Sequence, residues 1–219
     1  MVHSAEIRWF FPEQEMDALQ DLFPKAPPGD RLNWQQTRTD IYRVVPGADI
    51  LGLKVRGNGG LELKSLRSAS ADFHWKPEGE FALPVVLGRT DAWVKWELPE
   101  NANERLMPEA REVHVRKVRW LRKYSADRGA LRQVYAHGPG SRPSSGCNVE
   151  RTELTAGQER WLSVSFEAFG EPEQVAATLK DGVALVMPGA SETEILALSG
   201  ACSQSYPAWL DGYVRRVTA

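Results

Sequence analysis

Apolar and polar residues take turns through ILGLKVRGNGGLELKSLR, residues 50–67. Leu51, Leu53 and Val55 fall on one face of an extended chain, and Lys54 and Arg56 fall on the other. After Gly57-Asn58-Gly59-Gly60 the pattern resumes, with Leu61 and Leu63 alternating with Glu62 and Lys64. A two-residue period belongs to a strand with two unlike faces. The Asn-Gly-Gly stretch accepts positive φ, so the segment reads as a β-hairpin. One face of that hairpin is cationic, and a fold for this chain must give those charges a place.

The same alternation runs through residues 4–10 (SAEIRWF), 37–45 (TRTDIYRVV), 92–98 (AWVKWEL), 113–124 (VHVRKVRWLRKY), 147–154 (CNVERTEL) and 160–169 (RWLSVSFEAF). The last two face each other across Thr155-Ala156-Gly157. With the hairpin these make eight expected strands, a number that closes an antiparallel sheet into a barrel with an interior. Residues 12–23 carry Met16, Leu19, Leu22 and Phe23 at helical spacing, ending at Pro24. Residues 171–181 and 205–217 also read as helices, the first opened by Pro172. The expected class is α+β: a single eight-stranded antiparallel β-barrel over 1–219, one domain, with C-terminal helices (about 171–219) packed on it.

The 219 residues are 42% hydrophobic and 26% charged, as in ordinary globular chains. Twenty-seven basic and 29 acidic residues leave a net charge of −2, so bulk charge does not attract nucleic acid. RKVRWLRKY (116–124) interleaves cations with Trp120 and Tyr124, as single-strand binders do. Given the acidic balance, Trp120 is expected instead in the apolar shell outside the barrel. With no charged-then-apolar leader and no apolar run of about 18 residues, the expectation is a cytoplasmic protein without membrane contact. Cys147 and Cys202 read as reduced thiols more naturally than as a disulfide. His3, His74, His114 and His137 lack metal-ligand spacing, and no Gly-rich phosphate loop or nucleophile elbow is present.

If the apolar face of each strand packs outward under helices, the charged face lines the interior. Period-two parity then sends Arg8, Lys54, Arg56, Lys64, Lys95, Lys117, Arg119 and Arg151 inward. The inward acids are Glu6, Asp40, Glu62, Glu97, Glu153 and Glu167. On any one strand a polar face is ordinarily the solvent face. Recurrence argues against that here, because Lys54-Val55-Arg56 and Lys117-Val118-Arg119 repeat one cation-x-cation dyad, whereas exposed faces usually mix signs. Buried charges without partners are strongly unfavourable, so such an interior calls for water, a metal and an anion. A polyphosphate suits it: cations grip its oxygens, and carboxylates hold a divalent metal that bridges them.

The ordered series of segments resembles the CYTH superfamily, the triphosphate tunnel metalloenzymes, over nearly the whole chain. SAEIR (4–8) is similar to that family's opening E-x-E-x-K motif, and TDIYR (39–43) to its second-strand aspartate-tyrosine pattern. LKVR (53–56) resembles the R-x-R strand, LELK (61–64) the lysine-bearing fourth strand and RKVR (116–119) the K-x-R strand. VERTEL (149–154) and VSFEAFG (164–170) look like the last two, carboxylate-bearing strands, and SYPAWL (205–210) like the closing helix. The chain departs from the pattern at Ser4 and Ser165, which stand where the family has glutamates.

The resemblance implies a metal-dependent hydrolase of inorganic tripolyphosphate or an organic triphosphate. Arg8, Lys54, Arg56, Lys64, Lys95, Arg119 and Arg151 would bind substrate. Glu6, Glu153 and Glu167 would form one Mg²⁺ or Mn²⁺ site. Lys117 would neutralise phosphate charge and Glu153 would orient the attacking water, in a reaction that runs mainly on positioning and electrostatics. The alternative is a non-catalytic polyphosphate- or nucleotide-binding barrel that has lost part of the metal site. Either way the expected partner is a small-molecule triphosphate or polyphosphate.

Overall fold

The computed structural model describes residues 2–19, 31–55, 61–76, 85–98, 109–127, 129–139 and 141–218. The chain opens with β1 (Val2–Pro12) and a 3-10 segment (Glu13–Leu19). Then follow β2 (Asn33–Val44), β3 (Leu51–Val55), β4 (Leu61–Trp75), β5 (Val86–Leu98), β6 (Arg111–Ser125) and β7 (Arg132–Val134). After these come β8 (Gly146–Ala156), β9 (Glu159–Gly170), α1 (Val175–Val186), α2 (Glu192–Gly200), β10 (Cys202–Ser203) and α3 (Tyr206–Thr218).

Eight of these strands close on themselves. The order is β1-β5-β4-β3-β2-β6-β8-β9, and β9 returns to pair with β1, every contact antiparallel. The two short strands are additions, β7 on β6 and β10 on β1. Closure leaves the barrel without a free edge.

Alternation decides which side each residue faces. Ala5, Ile7, Trp9 and Phe11 of β1 and Leu162, Val164, Phe166 and Ala168 of β9 are buried, in one core with Val175, Leu179 and Val183 of α1. The helix lies close: a Cβ on Gly182 would stand 2.6 Å from the sulfur of Cys147 on β8. A second core has the opposite parity. Phe10, Tyr42, Val44, Val113, Val115, Leu154 and Ala156 point inward, against Tyr206, Trp209, Leu210, Tyr213 and Val214 of α3. α3 therefore closes one end of the barrel. Trp209 stacks on Phe10 with ring centroids 5.1 Å apart.

Several local expectations shift. The segment expected as a helix over 12–23 is 3-10 from Glu13 to Leu19, and its residues 20–23 lie outside the described residues. Gly57-Asn58-Gly59-Gly60 also lies outside them. α1 starts later than expected, with Pro172 in the turn that precedes it. α2 was not anticipated. Its N-terminus is a capping box, in which the Ser191 hydroxyl accepts from the Glu194 amide and the Glu194 carboxylate accepts from the Ser191 amide. The β8–β9 hairpin forms, but tighter than expected: Thr155 and Ala156 pair with Arg160 and Glu159, leaving a turn of Gly157, at φ 57°, and Gln158. The cysteines form no disulfide. Among the described residues no helix is long and apolar enough to cross a membrane.

Candidate functional site

The inner face holds a cavity of about 130 Å³, space for about four water molecules at their liquid volume. Its floor is α3, through Tyr206, Pro207 and Leu210. Six strands send cations into it: Arg8 on β1, Arg38 on β2, Lys54 on β3, Lys64 on β4, Lys95 on β5, and Lys117 with Arg119 on β6. Four carboxylates share the lining, from Glu6, Glu62, Glu150 and Glu167.

Register explains the convergence. Across antiparallel neighbours, paired residues point to one side, and the pairs Lys54–Glu62, Lys64–Lys95, Arg38–Lys117 and Glu6–Glu167 all turn inward. Lys64 and Lys95 stand directly opposite each other, an arrangement destabilising alone. Each is answered by a carboxylate from the next strand but one: Lys64 by Glu6 and Lys95 by Glu167.

The remaining charges are tied as closely. Glu6 accepts from Arg8 Nε at 2.6 Å as well as from Lys64. Burial alone would raise the Glu6 carboxyl, but Lys64 and Arg8 outweigh it and hold it well below the usual carboxylate range. Glu150 lies 3.1 Å from Arg119 and 3.7 Å from Arg8; burial opposes these cations, which still pull it down to about 2. Lys54 pairs with Glu62 at 3.0 Å. Beneath the cavity, Asp40 is fully buried, 3.0 Å from both Lys117 and Arg38.

Lys117 stands apart. It is 6% exposed, donates to the Tyr42 hydroxyl at 2.6 Å, and lies 4.1 Å from the centre of the Tyr206 ring. Burial disfavours its cation, and although Asp40 pulls the other way, the ammonium group falls to about 7.

Of the residues expected inside, Arg8, Lys54, Lys64, Lys95, Lys117, Arg119, Glu6, Glu62 and Glu167 line the cavity. Asp40 faces inward just below it, and Glu97 has inward parity but is exposed beyond it. Arg56 lies outside the described residues. Arg151 and Glu153 do not join them. They pair across β6 with Trp120 and Val118, the outward positions, while Thr152 and Leu154 pair with Arg119 and Lys117. Arg151 bonds Glu153 at 3.1 Å and lies over Trp120, which packs against the α1 core as expected of an outer-shell residue. The inward carboxylate of β8 is Glu150 instead. Its parity was obscured because β8 is apolar on both faces, Val149 outward under α1 and Leu154 inward against α3. Arg38 was legible, since it shares parity with Asp40. Tyr206 arrives from α3, and no strand pattern could announce it.

The expected metal triad is not assembled, because Glu153 faces away from Glu6 and Glu167. Ser4 and Ser165, at the positions where carboxylates were missing, are inward and buried. Both oxygens of Glu6 already accept from cations, and among the described residues no group of three His, Cys, Asp or Glu side chains is placed to hold a metal. This donor set does not fit a resident divalent cation.

No family model matches the chain, and no curated protein sequence matches it. Among solved structures, PH1819 of Pyrococcus horikoshii OT3 aligns at 12% identity and a TM-score of 0.41, covering 97% of this chain and 99% of its own. The S. pombe Pct1 RNA triphosphatase, solved in complex with the Spt5 CTD, aligns at 9% identity and a TM-score of 0.42, covering 85% and 82%. At these scores neither likeness carries weight for the site.

Proposed function

We propose that the barrel binds the phosphate chain of a small molecule, inorganic tripolyphosphate or an organic triphosphate. The observation that supports this best is the convergence of seven cations, against four carboxylates, on one cavity. A solvent-facing sheet would have no reason to aim like charges at a common point, and phosphate oxygens accept from several Lys and Arg at once. A thermal-shift titration with tripolyphosphate, against sulfate at matched ionic strength, tests it. Ligand at about 100 times its Kd should add about 2.7 kcal/mol of stability. Lys54→Ala and Arg119→Ala should each remove most of that gain. A wild-type protein indifferent to every polyphosphate and nucleoside triphosphate would sink the proposal.

A second reading, hydrolysis of the bound chain, draws on Lys117. A buried amine whose proton leaves near pH 7, hydrogen-bonded to Tyr42 and lining the cavity, is matched to acid–base work at neutral pH. Lys117, protonated beside bound phosphate, would give its proton to the leaving phosphate oxygen as water attacks, the water's proton passing to the released phosphate, while Arg8, Arg119 and Lys54 stabilise the charge on the phosphate oxygens. Release of inorganic phosphate from tripolyphosphate, lost in Lys117→Met even at ligand concentrations that saturate the variant, is the expected result.

A further inference from the structure

We infer that this cavity takes its phosphate chain free of divalent cation, and that its carboxylates are internal counter-ions which the ligand displaces. The inference rests on the polyphosphate reading above and adds a condition to it: the ligand is the uncomplexed polyanion.

The carboxylates occupy the positions a phosphate would take. Glu6 spans Arg8 and Lys64, Glu150 spans Arg119 and Arg8, Glu167 holds Lys95, and Glu62 holds Lys54. Each of these contacts is cation to carboxylate; Glu150 also accepts from the Thr152 hydroxyl at 2.9 Å. A metal site needs several carboxylate oxygens turned toward one point and away from cations, and no such group exists among the described residues. Where a carboxylate would complete such a group, Ser4 and Ser165 are buried at 1% exposure. Adding a divalent cation would set it against seven positive side chains.

The charge balance leads the same way. With Lys117 protonated, seven lining cations against the four lining carboxylates and buried Asp40 leave an excess of two positive charges, 7 − 5, and with Lys117 neutral an excess of one. That excess draws an anion, and the carboxylates at the cavity limit its draw. Of these, Glu167 is the most exposed, at 21%, so it swings to water most readily when phosphate takes Lys95.

This gives Glu167 a sign opposite to that of a metal ligand. If it is a counter-ion, Glu167→Gln raises the positive excess and tightens binding. If it holds a bridging metal, the same change weakens binding. The experiment is calorimetric titration of the intact protein with tripolyphosphate, in EDTA and in excess Mg²⁺, for wild type, Glu167→Gln and Glu62→Gln. The expected result is binding in EDTA, no tighter in Mg²⁺, and tightened by about three- to tenfold in both variants, the scale of one unit charge nearby at a partly solvated site. Glu62→Gln keeps the test valid if Glu167→Gln does not fold. Binding that appears only with Mg²⁺, or that weakens in both variants, overturns the inference and leaves the polyphosphate reading standing. Absence of binding in either buffer removes that reading and this inference together.

Discussion

At the scale of single residues, two positions on β8 separate what spacing shows from what packing decides. Glu150 and Glu153 are three apart, so only one can face the cavity, and the charge pattern, in which Arg151 and Glu153 share a face, favours the wrong one. The choice follows from the register with β6, which sets Thr152 beside Arg119 and Val118 beside Glu153. Lys117 carries the sharpest prediction at this scale. Its ammonium loses its proton near pH 7, whereas a bound phosphate would hold that proton in place. Tripolyphosphate affinity should therefore fall as pH rises from 6 to 9, tenfold for each unit by which the ligand raises that pKa. Lys117→Arg keeps its charge throughout and should flatten the Lys117 part of the profile. An identical slope in wild type and variant would show that this amine does not titrate at the site.

Among the elements, α3 matters most because it belongs to both the core and the cavity. Its Trp209 is 1% exposed and packs on Phe10, Trp161, Tyr206 and Tyr213, while Tyr206, Pro207 and Leu210 form the floor. Trp209→Ala should cost about 3–5 kcal/mol in urea unfolding. If α3 is also the floor, tripolyphosphate binding should weaken at temperatures where the variant is still folded. α1 tests the other core. Gly182 lets the helix approach Cys147, so Gly182→Ala forces a methyl group against sulfur and should cost about 1–3 kcal/mol without changing ligand affinity. A neutral result there would mean the helix can lift off β8 without loss.

For the molecule as a whole, the interior charges couple stability to pH. Glu6, Asp40 and Glu150 are held below their ordinary range by Lys64, Lys117 and Arg119 respectively, each against the opposing effect of burial. The folded state then binds fewer protons than the unfolded state at acid pH, so stability is greatest above the unfolded values. It should be level from neutral pH down to about 4.5 and decline as pH falls further toward about 2. Urea midpoints measured between pH 7 and pH 3 check this; a constant midpoint would mean the pairs do not hold these carboxylates ionised. Salt should weaken ligand binding more than it weakens the fold, since a ligand is drawn from solvent while Glu6, Asp40 and Glu150 already sit largely buried beside their cations.

The barrel was legible in the chain because a two-residue period reports itself within a single strand: each segment states that it has two faces and which residues share one. Six of the seven cations lining the cavity could be listed that way, and Arg38 could have been added. What one strand cannot state is which of its faces turns inward when both are partly apolar, or which charge answers it from across the interior. β8 is the clear case, with apolar residues on both faces, one set under α1 and the other under α3. Only closure placed Glu150 among the cations, turned Arg151 and Glu153 outward, and brought Tyr206 beneath Lys117. Those contacts join residues distant along the chain, and their energies depend on register and burial, neither of which exists until the last strand pairs with the first.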